Sequence, residues 1–237
     1  MPRIKDYLQY CFEKLKLSEN TLHSRMNALK FYYEQVLKRE KFFWEIPRPK
    51  KKNQLPKVIS KEQIANLINA IENTNHKTMI MLTYACGLRV SEVVSLKVKH
   101  IDGGRQMIFI KNAKGKKDRI VSLSPNMLIM LREYYKQYQP KEFLFEGQFA
   151  NEHLSERSIQ QVIQRAKQKA GIRQDGSMHM LRHSFATHLL DKGIDVTFIQ
   201  KLLGHNDIKT TLKYLHITNK DLVHILSPLA DIENLLK

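Results

Sequence analysis

The 237-residue sequence predicts a mainly α-helical protein with one small antiparallel β-sheet, an α+β fold. Apolar residues recur at helical spacing along most of the chain, with recognisable start and stop signals. Alternating β-type segments occur in one region only, on either side of a polar turn that contains a glycine. A hydrophobic fraction of 42% is enough for a packed core, and 9 glycines with 7 prolines exclude a low-complexity chain.

The first 60 residues predict two helices followed by a break. The helices are expected at residues 4–16 and 18–41, and Ser18 supplies the start signal of the second. The second helix has its apolar residues at roughly helical spacing: Leu22, Met26, Leu29, Tyr33 and Val36. Three prolines between residues 46 and 56 then forbid a helix, and four cations lie among them, so we predict an interdomain linker at residues 47–57. A solvated loop is the alternative interpretation of this stretch.

Residues 58–218 predict a second and larger domain. Ser60 and Gln63 form a capping box at the start of its first helix, and an apolar helix at residues 77–86 ends at Gly87. A short helix is expected from Ser91 onward. Strands at residues 107–110 and 119–123 flank the polar turn and predict a hairpin. Further helices are expected at residues 125–138, 156–169, 179–192, 195–203 and 207–216.

The charge of the chain indicates its kind of partner. Forty lysines and arginines against 23 acidic residues give a net charge of +17, which favours a polyanion, and nucleic acid above all. An anionic membrane surface is the alternative, but the sequence has no basic amphipathic helix, lipidation motif or membrane-spanning apolar run. Two cysteines, Cys11 and Cys86, do not make a disulfide framework, so a cytoplasmic location is expected.

Five residues are candidates for the chemistry of DNA strand transfer. A metal-independent reaction needs a nucleophile, cations for the phosphate, a general acid and a group that manages the nucleophile's proton. Arg89 lies at a helix start, where backbone amides favour phosphate. His179 and Arg182 are three residues apart and share a helical face. His205 lies between two helices, and Tyr214 follows nine residues later.

Each of these signals has an ordinary alternative when taken singly. Arg89 is then a surface arginine paired with Glu92, and a tyrosine on a helix is usually part of the core. His179 and His183 are then core histidines or, at positions i and i+4, zinc ligands. Met180 stands where a zincin helix has its glutamate, so no metal is expected. The joint order and spacing of the signals is more specific than any one of them.

In this order the motifs resemble those of the tyrosine recombinase (phage integrase) family, which includes Xer-type resolvases and integrases of mobile elements. The resemblance covers roughly residues 1–230. Four segments carry it: YACGLRVSEV at residues 84–93, KGKKDR at 114–119, HMLRHSFATH at 179–188, and LLGH at 202–205, which continues through Thr210 and Thr211 to Tyr214.

The resemblance implies how the scissile phosphate and the leaving group would be handled. Arg89 and Arg182 would clamp the phosphate, and His205 would donate to a non-bridging oxygen. Lys114 would act as the general acid toward the departing 5′ oxygen. These roles suit the residue types, because arginine keeps its proton whereas lysine can shift its pKa.

The resemblance also implies how the nucleophile would work. Tyr214 would form a 3′-phosphotyrosyl bond, and His179 would handle its proton. Glu92 and His183 would support the site by orienting the arginines.

The implied fold is a tyrosine-recombinase catalytic domain preceded by a partial helical core-binding domain. The family has four DNA-clamping helices before the catalytic domain, whereas residues 1–46 predict only two. Contacts with double-stranded DNA are expected from cations in the linker and the hairpin: Lys50, Lys51, Lys52, Lys116, Lys117 and Arg119.

The function implied is site-specific DNA recombination through a Holliday junction, by four protomers and without a cofactor, in a nucleoid-associated protein. The alternatives are a type IB topoisomerase-like enzyme and a non-catalytic DNA-binding accessory protein. Residues 219–237 are slightly acidic, and their apolar side chains at i, i+3, i+4 and i+7 define one helical face. The resemblance implies that this tail docks on a neighbouring protomer, while packing on its own domain is the alternative.

Overall fold

The computed structural model describes residues 2–39, 56–113, 117–149 and 151–215. The chain divides into two compact units, Met1–Gln54 and Leu55–Lys237. The predicted linker at residues 47–57 lies outside the described residues except for its last two positions, and the predicted tail at 219–237 lies wholly outside them. Within the described part of the chain, no helix is long and apolar enough to cross a membrane.

The described part of the first unit, residues 2–39, contains two α-helices, α1 (Pro2–Glu13) and α2 (Glu19–Phe31). The Ser18 side chain caps α2 by accepting a hydrogen bond from the backbone of Thr21, as its position predicts. Leu8 and Met26 are buried between the helices. The predicted single helix at 18–41 is wrong in its second half, because the chain continues as a π-helical turn at Tyr32–Val36 and leaves the helix at Leu37.

The second unit is mainly helical. Its helices are α3 (Lys61–Asn69), α4 (Thr74–Cys86), α5 (Val90–Val94), α6 (Pro125–Tyr138), α7 (Glu156–Lys169), α8 (Met178–Asp191), α9 (Val196–Leu203) and α10 (Lys209–Leu212), with a short 3-10 turn at Val98–His100. The predicted capping box is confirmed, since the Gln63 backbone donates to Ser60 Oγ at 3.2 Å and the Ser60 backbone to Gln63 Oε1 at 3.0 Å. The last predicted helix, 207–216, is confirmed only over the four residues of α10.

A three-stranded antiparallel sheet contains the predicted hairpin. Its strands are β1 (Ile101–Asp102), β2 (Met107–Ala113) and β3 (Lys117–Ser122), in the order β1-β2-β3. The sequence did not predict β1, which has only two residues and therefore no visible alternation. Ile108, Ile110 and Val121 face the core, at 0%, 3% and 2% exposed. Arg119 pairs with Ile110 across the hairpin and therefore lies on the same inward face.

Two apolar clusters hold the second unit together. In the larger cluster, helices α3 through α8 and the sheet pack together around fully buried side chains such as Leu67, Ile80 and Leu82. The smaller one lies between α8, α9 and α10 and consists of Ala186, Leu190, Ile199, Leu203 and Tyr214. Ser184 connects α8 to the start of the unit, because its hydroxyl accepts the buried backbone N–H of Ile59 at 3.0 Å. The ends of α4, α8 and α9 are thereby fixed relative to β3.

Candidate active site

Two helix ends supply backbone carbonyls to the candidate site. Gly87 follows α4 and Gly204 follows α9, and both adopt the left-handed conformation, with φ of +59° and +61°. A Cβ at Gly87 would lie 2.5 Å from Cδ1 of Phe185, and one at Gly204 would lie 2.9 Å from Cδ of Arg119. Glycine is therefore required at both positions. Since the C-terminus of a helix carries partial negative charge, each end favours a nearby cation.

Arg182, on α8, bridges these two helix ends. Its Nη1 donates to the carbonyl oxygen of Gly87 at 2.7 Å, and its Nη2 donates to that of Leu203 at 2.5 Å. Its side chain is only 4% exposed. Burial, followed by the charge of Arg89, lowers the pKa of Arg182 to about 9, which leaves it protonated at neutral pH. Arg182 is thus a buried cation held in one position by two carbonyls.

Glu92, on α5, ties the other two arginines together. Its carboxylate accepts from Arg89 Nη1 at 2.6 Å and from the Arg89 backbone N–H at 2.8 Å. It also accepts both Nη groups of Arg119, at 2.6 and 2.7 Å, in a bidentate pair. Burial raises the pKa of Glu92, but the hydrogen bonds and charges of Arg119 and Arg89 outweigh it and hold the pKa at about 2. Glu92 is therefore ionised at neutral pH.

The charge of this cluster suits a phosphate group. Three guanidinium groups surround one ionised carboxylate, so two positive charges remain uncompensated. The remaining hydrogen bond of Arg89 goes to the carbonyl oxygen of Gly204 at 3.2 Å, and its side chain is 16% exposed, the most of the three. A phosphodiester carries one negative charge, and nucleophilic attack adds a second in the transition state. Fixed cations of this kind stabilise such charge without reorganisation.

Tyr214 lies beside the cluster with its ring in the smaller apolar core. The residue is 1% exposed, and its hydroxyl lies 2.8 Å from Nδ1 of His183 on α8. Burial raises the pKa of Tyr214, and the charges of Arg182 and Arg89 oppose that rise. The tyrosine is therefore a neutral phenol at neutral pH, sheltered from water and joined to a histidine.

Three histidines line this side of the site. The His205 ring stacks at 6.5 Å and 17° to the Tyr214 ring, and its Nδ1 lies 2.8 Å from Thr211 Oγ1. Burial, followed by the charges of Arg182 and Arg89, lowers the pKa of His205 to about 4. Burial likewise lowers the pKa of His179, and lowers that of His183 to about 4. All three rings are therefore neutral at neutral pH, with nitrogen atoms available as acceptors.

The structure brings most of the residues predicted from the sequence into one site. The set that converges there is Arg89, Glu92, His179, Arg182, His183, His205 and Tyr214. The predicted linker cations Lys50, Lys51 and Lys52 lie outside the described residues, and so do the hairpin lysines Lys114 and Lys116. The backbone of Lys117 is described, but its side chain is not. Among the residues that the structure does describe, no three His, Cys, Asp or Glu side chains form a group suited to a metal ion.

Arg119 and His183 lie differently from our expectations. Arg119 was expected to contact DNA, but its side chain is 7% exposed and occupied by Glu92 and by the carbonyl oxygen of Leu202 at 2.9 Å. Strand alternation could have indicated this, because Arg119 shares a face with the buried Val121 while Ile120 is 52% exposed. His183 was expected to orient an arginine, whereas its hydrogen bond goes to Tyr214 across 31 residues of sequence, for which no local signal exists.

Comparison with known proteins agrees with this arrangement. The sequence model of the phage integrase family matches residues 57–221 of this chain. The tyrosine recombinase XerA of Pyrococcus horikoshii is 30% identical over 241 residues, spanning 99% of this chain and 83% of that protein. A crystal structure of XerA recombinase superposes with a TM-score of 0.63 at 27% identity, covering 98% of this chain and 81% of the other.

A second solved structure agrees in fold. The site-specific recombinase XerH, crystallised with its palindromic difH substrate in a post-cleavage complex, gives a TM-score of 0.76 at 24% identity. It covers 92% of this chain and 69% of its own. With the family match extending over most of the chain and the arginines, histidines and tyrosine gathered in one site, the protein belongs to the phage integrase family.

Proposed function

We propose that this protein is a site-specific DNA recombinase that breaks and rejoins DNA strands with Tyr214 as its nucleophile. One observation carries the proposal. A buried cluster with two uncompensated positive charges lies beside a buried tyrosine, in the family whose relatives are named tyrosine recombinases. An excess of fixed positive charge next to a nucleophile is the arrangement that phosphoryl transfer requires.

In the proposed reaction the Tyr214 oxygen attacks phosphorus and the bond to the 5′ oxygen breaks. Arg89 and Arg182 neutralise the charge that builds on the non-bridging oxygens, and His205 donates a hydrogen bond to one of them. Lys114 gives the departing 5′ oxygen its proton. The 3′-phosphotyrosyl bond conserves the energy of the broken linkage, so a 5′ hydroxyl from a partner duplex can rejoin it without a cofactor.

Double-stranded DNA is the proposed partner. The net charge of +17 supports this, and so does the XerH structure, which is a complex with the palindromic difH substrate. Lys50, Lys51 and Lys52 in the linker and Lys116 and Lys117 in the hairpin are proposed to contact phosphates. Arg119 is not proposed as such a contact, since Glu92 and Leu202 occupy its donors.

Recombination between two duplexes requires several protomers, and we propose a homotetramer acting through a Holliday junction on nucleoid DNA. The tail at residues 219–237 is proposed to dock on the neighbouring protomer with its apolar face. Deleting residues 221–237 should leave binding to one site intact and remove cooperative assembly on two-site DNA. If cooperativity in gel-shift titrations is unchanged by the deletion, the tail packs on its own domain and does not dock on a neighbouring protomer.

The two rival functions differ from this one in a measurable way. A type IB topoisomerase-like enzyme would relax supercoiled DNA as a monomer, without a preferred site. A DNA-binding accessory protein would bind but form no covalent adduct. Since the residue types expected of an active enzyme are all in the sequence, the catalytic interpretation is preferred over the accessory one.

Covalent trapping on a nicked suicide substrate tests the proposal. Wild-type protein should give a protein–DNA band on a denaturing gel, and Tyr214→Phe should bind the DNA yet give none. Tyr134→Phe is the matched control, because Tyr134 is also buried (2% exposed) and also loses one hydroxyl hydrogen bond, to the carbonyl oxygen of Leu144 at 3.0 Å. An adduct from Tyr214→Phe would overturn the assignment of the nucleophile.

A further inference from the structure

The hydroxyl of Tyr214 has to lose its proton in a place where water is scarce. Tyr214 is 1% exposed, and its ring packs among the apolar side chains of α8 and α9. Burial raises the pKa of its phenol, so the proton does not leave spontaneously at neutral pH. A nucleophile in this position needs a protein group as proton acceptor.

The geometry points to His183 as that acceptor, an inference that rests on Tyr214 being the nucleophile. We propose that Nδ1 of His183 holds the Tyr214 hydroxyl in place and receives its proton when the phenol attacks phosphorus. The two atoms lie 2.8 Å apart, within the range required for proton transfer. His183 would therefore belong to the reacting groups rather than to the groups that orient the arginines.

The surroundings of His183 favour this role over that of a donor. Burial, the neighbouring His179 ring and the charge of Arg182 disfavour the imidazolium, so His183 is neutral before the reaction. With Nε2 carrying the single ring proton, Nδ1 has a free lone pair directed at the hydroxyl. As the phosphate arrives, its negative charge opposes the effect of the arginines and makes a protonated His183 easier to form.

His179 is the other histidine on this face, and it lies one helical turn away. The ring centroids of His179 and His183 are 6.5 Å apart, and the hydrogen-bond partner of the Tyr214 hydroxyl is His183. Our sequence-based assignment gave the nucleophile's proton to His179. The geometry leaves His179 next to the arginines instead, where burial, followed by the charges of Arg182 and Arg89, lowers its pKa.

The step balances without any added reagent. The bond from Tyr214 Oη to phosphorus forms while the bond from phosphorus to the 5′ oxygen breaks. His183 gains the phenol proton, and the 5′ oxygen takes a proton from the proposed acid, Lys114. Rejoining reverses both transfers: the incoming 5′ hydroxyl returns its proton to Lys114, and the tyrosine oxygen recovers its own from His183.

The test combines His183→Asn with a more acidic phenol at position 214. Asparagine places its amide close to where Nδ1 stands, so it keeps a hydrogen-bonding group but cannot accept a proton. We expect single-turnover cleavage of a suicide substrate to slow by about 10²- to 10⁴-fold. Replacing Tyr214 with 3,5-difluorotyrosine, which needs less help to ionise, should restore most of that loss.

The controls separate proton transfer from mere packing. His179→Asn should slow cleavage without recovery by difluorotyrosine. If His183→Asn cleaves at the wild-type rate, or if its defect is the same with both phenols, His183 is not the acceptor. Tyr214→Phe independently tests the nucleophile. If the adduct depends on Tyr214 but His183→Asn cleaves at the wild-type rate, this inference fails while the proposed function stands.

A measurement on the wild-type protein covers the case in which His183→Asn does not fold. Nitrogen-15 NMR of histidine-labelled protein distinguishes a bare Nδ1 from a protonated one. We expect His183 to be neutral at pH 7 with its proton on Nε2. A proton on Nδ1 would make His183 a donor to Tyr214 and would overturn the proposal.

Discussion

Replacing Glu92 with glutamine should destabilise the protein strongly and in a pH-dependent way. The variant keeps the shape of the side chain but leaves Arg89, Arg119 and Arg182 without their counter-ion. Removing one partner of a buried ion pair costs about 3–5 kcal/mol. The lowered pKa gives a second estimate: a fall from 4.5 to about 2 corresponds to about 3 kcal/mol of stability at neutral pH.

The sign of the pH dependence follows from that lowered pKa. A carboxyl group whose pKa is lower in the folded protein stabilises it fully above the unfolded value and loses this effect as the pH falls through the folded one. For Glu92 the window runs from about pH 4.5 down to about pH 2. The difference between wild type and Glu92→Gln should be about 3 kcal/mol at pH 7 and about 2 kcal/mol at pH 3.5.

Urea unfolding at both pH values measures this difference, provided that the denaturant slope stays constant. Glu142→Gln is the matched control, since Glu142 Oε1 lies at the same 2.6 Å from Lys97 Nζ but the Glu142 side chain is 45% exposed. An exposed pair contributes far less than a buried one. If Glu92→Gln and Glu142→Gln lose equal stability, the carboxylate does not hold the arginine cluster together and the reasoning is wrong.

Four further outcomes are expected. Gly87→Ala should cost more stability than Gly171→Ala in urea unfolding, because both have positive φ (+59° and +67°) but only the Cβ at position 87 would meet another atom; equal losses would contradict the close contact. Lys114→Ala should slow cleavage by about 10²- to 10⁴-fold, and a 5′-bridging phosphorothiolate, whose sulfur leaves without a proton, should restore the rate if Lys114 is the acid. DNA affinity should fall steeply as salt rises, by about 10³- to 10⁵-fold between about 50 and 200 mM if 6–10 phosphates are contacted, and a flat response would assign the charge another use. Cleavage should persist in EDTA. If EDTA abolishes cleavage and a divalent ion restores it, His179 and His183 become candidate metal ligands again.

The fold was predictable where local chemistry decides it. Ser60 with Gln63 predicts a helix start, because the capping pattern is contained in four neighbouring residues. Gly87 and Gly204 predict helix ends, because a left-handed residue is a local requirement. The π-helical turn after Phe31 was not predictable in this way, since its apolar spacing is hardly different from that of an α-helix.

The site was predictable as a set of residues but not as a set of contacts. The order of Arg89, Arg182 and Tyr214 along the chain identifies them, and the structure brings them together. The hydrogen bond from Tyr214 to His183 joins the turn after α10 to α8, and the pairing of Arg119 with Glu92 joins a strand to a helix 27 residues away. Contacts of this kind depend on how the elements pack against each other. The spacing of residues within one helix or strand does not predict them.

The backbone carbonyls that accept hydrogen bonds from the arginines affect how the site tolerates mutation. Arg182 and Arg89 are held by backbone oxygens of Gly87, Leu203 and Gly204, and every amino acid has such an oxygen. A side-chain change at a residue that supplies only its carbonyl leaves the supply of acceptors intact. The positions most sensitive to mutation are instead the two glycines, whose left-handed conformation sets the direction in which the carbonyls point. Libraries designed to redirect DNA recognition can therefore vary the exposed side chains near the site freely, provided that positions 87 and 204 stay fixed.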